Sequence, residues 1–329
     1  MSAVCKELEL RRDYVKGEAI DTIYFGGGTP SQLSPNDFNR IFAAIHEHYR
    51  ISPDAEITME ANPDDLSDKY LESVRALPFN RLSIGIQSFN DQELGFLKRR
   101  HSARRAEEVV LQCKSMGYDN ISIDLMYGLP NQTMDIWTKN LDAAISLDVN
   151  HISSYHLIYE QGTRLYRMFK IGDVKPVDED LSVDMFSLMI DRLSSAGFEH
   201  YEISNFARNG LYSKHNTSYW LGKIYLGVGP AAHSYDGLNR AWNIASISKY
   251  IKSLYDGGLN IETEYLDQHT RYNDFILTGM RTKWGVNLNV LEQQFGNQMK
   301  IYCLDNATKY MNQGYLTNED NILKLTRSG

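Results

Sequence analysis

Strand and helix patterns alternate along the first 205 residues, and this alternation limits the fold more than any other feature of the sequence. Short apolar runs that predict strands lie at 22–25, 56–60, 81–87, 120–127, 151–158 and 200–205. Segments that predict helices lie at 1–14, 35–49, 67–77, 91–99, 103–116, 134–147 and 179–196. Repeated βα units are typical of a parallel sheet covered by helices. The chain begins with a helix rather than a strand, which is unusual for such a fold.

Several predicted strands place small or polar side chains on one face. The strand 81–87 alternates leucine and isoleucine with serine, glycine and glutamine, and the strands 56–60 and 120–125 alternate in a similar way. A parallel sheet buried on both faces reads as continuously apolar, and a closed eight-stranded barrel fills its lumen with branched side chains. We therefore predict an α/β fold with a partial (β/α) TIM-like barrel, whose polar face lines a ligand-filled lumen. An open twisted sheet with a polar crevice is the alternative.

A glycine run, Gly26-Gly27-Gly28-Thr29-Pro30, follows the first predicted strand. Glycines at a strand end let the backbone adopt positive φ and approach a ligand closely. The run has neither the Gly-Lys-Ser/Thr ending of a phosphate loop nor the spaced glycines of a dinucleotide-binding fingerprint. Two interpretations remain open at this point, a tight turn from strand to helix or a cradle for a ligand.

Three further polar residues stand at or near the ends of other predicted strands, namely Glu60, Gln87 and Asp124. Active sites of α/β proteins form where the carboxyl ends of parallel strands meet. The pattern therefore predicts that these side chains and the glycine run lie at one edge of the sheet, which favours the ligand interpretation.

The pattern changes after residue 205. Residues 206–240 are rich in glycine, asparagine, tyrosine and tryptophan and show no clear period, and their aromatic content argues against disorder. Helical patterns return at 273–281, 288–295 and 300–312, and residues 316 and 322–325 predict a closing hairpin. We therefore predict three regions, namely the partial barrel at 1–205, an irregular aromatic and glycine-rich connection at 206–265, and an incomplete, mainly helical C-terminal domain with a winged end at 266–329.

Charge and composition exclude several classes of function. The net charge of −8 leaves no basic stripe to neutralise phosphates, so nucleic acid is not an expected partner. No run of about 18 apolar residues occurs, so no membrane span is predicted. The three cysteines, Cys5, Cys113 and Cys303, are isolated and odd in number, which argues against a disulfide framework. Unpaired cysteines fit a reducing cytoplasm.

The glycine run belongs to a set of five motifs. The set consists of Gly26-Gly27-Gly28-Thr29-Pro30, Glu60-Ala61-Asn62-Pro63, Gly85-Ile86-Gln87-Ser88-Phe89-Asn90, Leu97-Lys98-Arg99-Arg100-His101 and Asp124-Leu125-Met126-Tyr127-Gly128-Leu129-Pro130. In order and spacing these motifs resemble the oxygen-independent coproporphyrinogen III oxidase-like group of radical S-adenosylmethionine proteins. The resemblance covers essentially the whole chain. It implies a partial barrel of the radical S-adenosylmethionine type, with S-adenosylmethionine and a 4Fe-4S cluster as cofactors.

The resemblance also implies which residues hold S-adenosylmethionine. They are Gly27, Gly28, Thr29, Glu60, Gln87, Arg99 and Asp124. The chemistry agrees, because carbonyls of a glycine turn can accept from the ligand's ammonium, carboxylates can accept from its ribose hydroxyls, and an arginine can pair with its carboxylate. Without a ligand, Arg99 reads as a surface helix residue and Asp124 as a carboxylate satisfied inside the barrel.

A second signature separates branches of this group. The sequence His-Asn-Thr-Ser-Tyr-Trp at 215–220 resembles the HemW-type heme chaperones rather than the true coproporphyrinogen dehydrogenases. The resemblance implies heme binding, with His215 as a candidate axial ligand and with Tyr219 and Trp220 as flat apolar surface for the porphyrin. A histidine beside aromatic residues is also often a packed, hydrogen-bonded residue, and His233 could serve as the ligand equally well.

The resemblance therefore implies a heme chaperone that binds heme and passes it to an acceptor protein, membrane-associated or not. The alternative is an enzyme, an oxygen-independent coproporphyrinogen III oxidase that decarboxylates coproporphyrinogen III by radical abstraction. An unrelated barrel enzyme acting on a small polar substrate is a third reading. No catalytic residue is assigned, and the acceptor, the reductant and the oligomeric state are left open.

One motif of the group is absent from this sequence. Its members bind the cluster through a C-x-x-x-C-x-x-C run after the first strand, and none of the three cysteines here has that spacing. Since the chain also begins at the helix that should follow that strand, we expect the first strand and the cluster loop to be missing. The sequence as written offers no cluster ligand, so we do not expect it to cleave S-adenosylmethionine reductively.

Overall fold

The computed structural model describes residues 1–329. The helices are α1 (Ser2–Leu10), α2 (Pro35–His48), α3 (Asp68–Val74), α4 (Asp91–Phe96), α5 (Ala103–Ser115), α6 (Met134–Ser146), α7 (Arg164–Lys170), α8 (Glu179–Ser195), α9 (Lys214–Trp220), α10 (Ile247–Tyr255), α11 (Gln268–Met280), α12 (Leu288–Phe295) and α13 (Asn297–Asn312). The strands are β1 (Ile20–Phe25), β2 (Ile51–Ala61), β3 (Arg81–Gln87), β4 (Ile121–Tyr127), β5 (His151–His156), β6 (Glu199–Glu202), β7 (Asn205–Ala207), β8 (His233–Tyr235), β9 (Asn239–Asn243), β10 (Ile261–Tyr265), β11 (Val286–Asn287), β12 (Leu316–Glu319) and β13 (Ile322–Leu325). None of these helices combines the length and the apolar character that crossing a bilayer requires.

Seven strands form one curled sheet in the order β1-β2-β3-β4-β5-β7-β6. Strands β2 to β5 pair in parallel, each with the next along the chain, and helices connect them. The sheet follows chain order over its first five strands, which confirms the partial (β/α) barrel predicted from the sequence.

The far edge of this sheet differs from the prediction. The sequence predicts one more strand of the parallel series at 200–205, whereas the structure has two short strands, β6 and β7. They pair antiparallel with each other, and β7 pairs antiparallel with β5. The prediction was wrong because only residues 203–204 separate the two strands, and so short a turn joins antiparallel neighbours.

The face of the sheet that alternation marked as polar carries hydrogen-bonded side chains. Asp124 on β4 lies in register with Ser153 on β5. The buried ring of His151 contacts Ser122 Oγ and Tyr201 Oη, each at 2.7 Å. Burial lowers the pKa of His151 well below its usual value, so its ring is neutral and can use one nitrogen as a donor and the other as an acceptor. The fully buried aliphatic residues of β3 and β4 include Leu82, Ile84, Ile86, Ile121, Ile123 and Leu125.

The chain divides into two compact units, which are described separately. The first comprises Thr22–Pro35 and Glu56–Ser213 and holds most of the sheet. The second comprises Met1–Asp21, Asn36–Ala55 and Lys214–Gly329. The three-region division of the chain that the sequence suggested stays a prediction.

The second unit contains regular structure where the sequence showed no period. It includes α9, α10 and a three-stranded antiparallel sheet in the order β10-β9-β8. On α10, Tyr250 and Leu254 pack with Ala3 of α1 in a small core. These elements have three to nine residues each, and such short elements offer too few repeats for a period to be recognised.

The end of the second unit is a group of three helices closed by a small sheet. Helices α11, α12 and α13 occur where helical patterns predicted them, and β12 and β13 form the predicted hairpin, which β11 extends to three strands. The core between them contains Leu288, Leu291 and Leu323, which are fully buried. The small, mainly helical C-terminal domain predicted from the sequence is thereby confirmed, whereas its description as winged stays a prediction.

Candidate functional site

The glycine turn after β1 uses its glycines in two different ways. Gly26 is packed, since a Cβ atom there would lie 2.5 Å from the ring of Tyr24 and 2.9 Å from Glu60 Oε1. Gly27 and Gly28 are exposed and adopt φ of +73° and +83°, with open space where a side chain would project. Residues with side chains rarely adopt this conformation, so the turn presents bare backbone beside Glu60.

Glu60, near the end of β2, is bound to this turn through both of its oxygens. Tyr24 Oη donates to Glu60 Oε1 at 2.7 Å, and the Gly27 N–H donates to Oε2 at 3.2 Å. Burial and the adjacent Glu60 carboxylate raise the pKa of Tyr24 far above its ordinary value, so its hydroxyl remains a donor. These bonds hold the Glu60 carboxylate beside the exposed glycine backbone.

Asp65 connects the glycine turn with the loop that follows α4. Its Oδ2 accepts from Ser31 Oγ at 2.8 Å, and its Oδ1 accepts from Arg100 Nη2 at 3.2 Å. Ser31 Oγ also accepts from the N–H of Asn62 at 3.3 Å. The sequence analysis missed Ser31 and Asp65, which lie one and two residues beyond recognised motifs. Their adjacency to those motifs was the only signal that could have found them.

Gln87 ends β3 in a strained backbone conformation. Its φ is +71°, which is uncommon for a residue with a side chain, and the pairing of β3 with β4 shifts register between Ile84 and Gln87. A Cβ atom on Gly85 would lie 3.0 Å from Gln87 Nε2, so the glycine leaves room for this amide. Bulges and strained residues of this kind are frequent next to ligand sites.

The carboxyl group of Asp124 lies on the polar face of β4. It accepts from Ser83 Oγ at 3.4 Å and from the side chain of Ser153. Burial, and after it the nearby Glu60 carboxylate, raise the pKa of Asp124 to about 6. Two carboxyl groups thus lie close together in a partly buried space, where a cationic or hydroxyl-bearing ligand would offset their repulsion.

Arg99 lies beyond the helix on which the sequence placed it. Helix α4 ends three residues earlier, and Lys98 adopts φ of +57° in the turn that follows, so the prediction of a helix to residue 99 was wrong. Arg99 Nη1 donates to Asn62 Oδ1 at 3.3 Å. Burial lowers the pKa of its guanidinium, and the charges of Asp124 and Asp64 oppose that shift. Arg99 is therefore electrostatically coupled to Asp124.

The structure links four of the seven residues that the resemblance assigned to S-adenosylmethionine, namely Gly27, Glu60, Arg99 and Asp124. Gly28 and Thr29 continue the glycine turn, and Gln87 ends the neighbouring strand β3. Contacts or electrostatic interactions join Gly27 to Glu60, Glu60 to Asp124, and Asp124 to Arg99. Two carboxylates, one guanidinium and a bare glycine turn suit a ligand with ammonium, hydroxyl and carboxylate groups. The binding role of each residue stays a prediction.

The residues predicted to hold heme lie on and beside α9, in the second unit. His215 Nε2 lies 2.9 Å from Tyr219 Oη, and the two rings meet edge to face with centroids 4.9 Å apart. Trp220 is half-buried, whereas Tyr219, Leu221 and Ile224 are exposed. Although part of its ring is exposed, desolvation of the Tyr219 hydroxyl and the nearby Tyr225 raise the pKa of Tyr219 to about 12, so its hydroxyl stays protonated. An imidazole and an exposed apolar surface are therefore adjacent.

The alternative histidine, His233, lies on β8 and is exposed. It stands opposite Trp242 on β9, with ring centroids 5.8 Å apart. Gly227 packs against its backbone, since a Cβ atom there would lie 2.0 Å from the His233 carbonyl oxygen. Both histidines are accessible to a ligand, so the choice between them stays a prediction.

The three cysteines do not form a site for an iron–sulfur cluster. Cys113 and Cys303 are buried, Cys5 is half-buried, and no group of three or more His, Cys, Asp or Glu side chains is placed to hold a metal ion. Burial raises the pKa of Cys113 to about 12 and also raises that of Cys303, which disfavours the thiolates that a cluster requires. The residues present in this chain therefore do not fit a 4Fe-4S cluster.

We expect anaerobic reconstitution of the 329-residue chain with iron and sulfide to leave it without the visible absorbance of a 4Fe-4S cluster. The physical reason is the separation and burial of its thiols. Visible spectra and iron content after desalting are the measurements, and a variant with all three cysteines changed to serine is the control. A stoichiometric cluster that this variant loses would contradict the assignment.

Family models match both ends of this chain. The radical SAM superfamily matches residues 6–143, and the HemN C-terminal domain matches residues 266–329. Among solved structures, coproporphyrinogen III oxidase (HemN) from Escherichia coli superposes over 99% of this chain and 78% of its own, with a TM-score of 0.84 and 21% sequence identity. This likeness concerns the fold.

Curated relatives match over most of the chain. Heme chaperone HemW of Mycobacterium tuberculosis (strain ATCC 25618 / H37Rv) is 34% identical over 287 residues, which cover 87% of this chain and 74% of that protein. Heme chaperone HemW of Lactococcus lactis subsp. lactis is 33% identical over 312 residues, which cover 95% of this chain and 82% of that protein.

Proposed function

We propose that this chain, which belongs to the HemW heme chaperone family of radical S-adenosylmethionine proteins, binds heme and passes it to an acceptor protein. The observation that carries this proposal is the surface around α9, where His215 and Tyr219 lie beside exposed apolar side chains. Imidazole nitrogen is a common axial ligand of heme iron, and exposed apolar patches mark binding surfaces. The names of the curated relatives agree with this function.

Ligation of iron through His215 Nε2 requires Tyr219 Oη to release this nitrogen. The phenol is protonated and donates, so we infer that Nε2 accepts and that Nδ1 carries the proton. The tyrosine bond is worth about 1 kcal/mol net, a small cost beside iron ligation. This arrangement suits a heme carrier, because Tyr219 Oη can donate to His215 Nε2 again after heme leaves.

Heme titration and a coproporphyrinogen III turnover assay on the same sample test this function. We expect the protein to bind heme with the absorbance of an imidazole complex and to show no decarboxylation. Turnover of coproporphyrinogen III would overturn the chaperone function in favour of the oxidase, which at present has only the likeness of the fold behind it.

We further propose that the site at the carboxyl edge of the sheet binds S-adenosylmethionine. Glu60 and Asp124 would accept from its hydroxyl or ammonium groups, Arg99 would pair with its carboxylate, and the Gly27–Gly28 backbone would lie against its methionine end. The raised pKa of Asp124 supports this, because a desolvated carboxyl group beside a second carboxylate would gain from the ammonium or hydroxyl groups of a ligand. Since this chain does not fit a cluster, the proposal is limited to binding.

Gly27→Val is expected to weaken binding of S-adenosylmethionine about tenfold or more while the fold is retained. The new side chain would occupy the open space above the turn, where the ligand has to approach. Gly117→Val is the matched control, because Gly117 has a φ of +86° and equally open surroundings but lies at the end of α5. Both variants carry backbone strain of about 1–2 kcal/mol. Calorimetric titration that finds equal affinity for the two variants would contradict the assignment.

We place this protein in the cytoplasm, because its three cysteines are unpaired. Its net charge of −8 makes nucleic acid an unsuitable partner. The acceptor is proposed as a class, a heme-binding protein, since no residue of the chain specifies it further.

A further inference from the structure

The segment between β5 and α8, residues 157–178, exposes several large apolar side chains to solvent. None of the seven residues of α7 is buried. Ile158 and Ile171, which flank this helix, expose 77% and 73% of their surface, and Phe169 exposes 36%. Tyr159 packs on Phe169 with ring centroids 5.2 Å apart, yet its buried hydroxyl has no hydrogen-bond partner. Several exposed apolar side chains on one short segment indicate a binding surface.

Three cations, Arg164, Arg167 and Lys170, follow one face of α7 at intervals of three residues. None of them forms an ion pair with a carboxylate, and Lys170 Nζ instead stands 5.4 Å from the ring centroid of Tyr166. Residues 161–172 contain these three cations and no Asp or Glu, in a chain of net charge −8. The segment is therefore a local positive surface whose charges are free to meet an anion.

This segment leaves the sheet beside the candidate site for S-adenosylmethionine. The Leu157 N–H donates to the Tyr127 carbonyl oxygen at 2.9 Å, at the end of the strand that carries Asp124. Burial and the charge of Asp124 raise the pKa of Tyr155, which places the end of β5 within the electrostatic reach of that carboxyl group. The apolar and cationic surface thus begins at the carboxyl edge of the sheet.

We propose that this surface binds a porphyrin dicarboxylate, in which Arg164 and Arg167 pair with the carboxylates while Ile158, Phe169 and Ile171 lie against the macrocycle. The proposal rests on the proposed heme function and assigns to the first unit a binding surface of its own for the same class of ligand. A porphyrin such as heme is a flat apolar ring with two carboxylates on one edge. Guanidinium groups pair with carboxylates in a bidentate manner, and aromatic rings pack against flat apolar ligands.

The spacing of the cations, and the absence of carboxylates paired with them, favour binding of a dicarboxylate over a helix face that is merely solvated. Side chains three residues apart on a helix are neighbours, about 5–6 Å apart at Cβ, so Arg164 and Arg167 can meet two carboxylates of one molecule. A surface helix commonly pairs its cations with nearby carboxylates or buries its apolar side. In α7 the cations form no ion pair with a carboxylate, and no side chain is buried. No internal ion pair has to break before the ligand binds.

Metal-free protoporphyrin IX and its dimethyl ester are the probes that test this surface, with porphyrin fluorescence as the readout. The free acid has the carboxylates and lacks iron, so neither histidine can ligate it. We expect the double variant Arg164→Glu/Arg167→Glu to bind the free acid about tenfold or more weakly and the ester nearly unchanged. Arg164→Lys/Arg167→Lys keeps both charges but loses the bidentate geometry, so it should bind the acid more weakly than the unmodified protein and more tightly than the glutamate variant.

Helix α10 offers a matched control. It carries Lys249 and Lys252 at the same spacing, beside the exposed Ile247, Ile251 and Tyr255. Lys249→Glu/Lys252→Glu should leave binding of protoporphyrin unchanged. An equal loss in this control, an equal loss for the ester, or unchanged binding of the acid by the α7 glutamate variant would each overturn the proposal. Circular dichroism checks that every variant folds.

Two further outcomes separate this inference from the heme function. If the unmodified protein binds heme and the α7 glutamate variant binds heme and protoporphyrin equally well, the α7 surface is wrong and the heme function stands. If the unmodified protein binds neither, the proposed function fails and this inference fails with it. Sedimentation with phosphatidylglycerol vesicles that the α7 glutamate variant abolishes, without loss of porphyrin binding, would assign the surface to a membrane instead.

Discussion

His215→Ala is expected to remove the imidazole-ligated absorbance band of bound heme and to weaken heme binding about tenfold or more. The variant loses the proposed ligand nitrogen, while the apolar surface of Tyr219, Leu221 and Ile224 remains and retains part of the affinity. Difference spectra recorded during a heme titration measure the band and the affinity together. His233 can supply a residual ligand, so the loss need not be complete.

Two variants test whether this effect is specific. Cys113→Ala should leave the heme spectrum unchanged, because Cys113 is fully buried in the first unit. Tyr219→Phe removes the hydroxyl that occupies His215 Nε2, so the imidazole band should persist in that variant. An unchanged spectrum in His215→Ala would remove the ligand role from His215, and His233→Ala would then be examined first.

Asp124→Asn is expected to bind S-adenosylmethionine about tenfold more weakly at pH 8 and to abolish the pH dependence of binding. In the unmodified protein, affinity should fall as the pH drops through about 6, because the Asp124 carboxyl group takes up a proton there and loses its negative charge. Calorimetric titrations between pH 5 and 8 measure both effects. Affinity of the unmodified protein that is flat across this range would contradict the role of Asp124.

The same substitution should stabilise the fold at pH 8, although it weakens ligand binding there. The pKa of Asp124 in the folded protein, about 6, lies above its ordinary value of 3.8. The protonated carboxyl group therefore makes its full contribution to the free energy of unfolding below pH 3.8, and this contribution is lost as the pH rises through 6. Asp124→Asn stays neutral, so we expect it to stabilise the fold at pH 8 by on the order of 1–2 kcal/mol, and to have little effect at pH 4. Denaturant unfolding at both pH values measures this. Asp119→Asn, which changes an exposed carboxylate, is the control and should alter stability at neither pH. If Asp124→Asn instead destabilises the protein at pH 8, the charge on Asp124 supports the fold and the prediction is wrong.

Elements with a clear period were predictable from the sequence. The strand 81–87 and the helix 288–295 have the bounds that the patterns predicted, and the βα series has the predicted order. Elements without a period were not. Helix α7 has only seven residues, so its apolar residues Leu165, Met168 and Phe169 span too short a window to establish a helical period. The reversal between β6 and β7 depends on two residues, 203–204, that carry no glycine or proline signal.

The candidate site was predictable as a set of residues but not as an arrangement. Motifs placed Glu60, Gln87 and Asp124 at or near strand ends. In the structure Glu60 lies one residue before the end of β2 and Gln87 ends β3, whereas Asp124 lies in the middle of β4, three residues before its end. The bond from Gly27 to Glu60 and the link from Ser31 to Asp65 join segments more than 30 residues apart in the chain. No local pattern encodes which of several carboxylates will meet a given donor.

The sequence by itself determined that this chain folds as repeated βα units around a polar interior, because alternation along a strand and the period of a helix are local properties. It also determined which kinds of group the site contains. Only the tertiary structure decided that Asp124 titrates near pH 6, that the Gly27 N–H meets Glu60, and that the cations of α7 have no carboxylate partner. A pKa, a contact and a free charge each depend on atoms brought from distant parts of the chain, and on the water that packing removes.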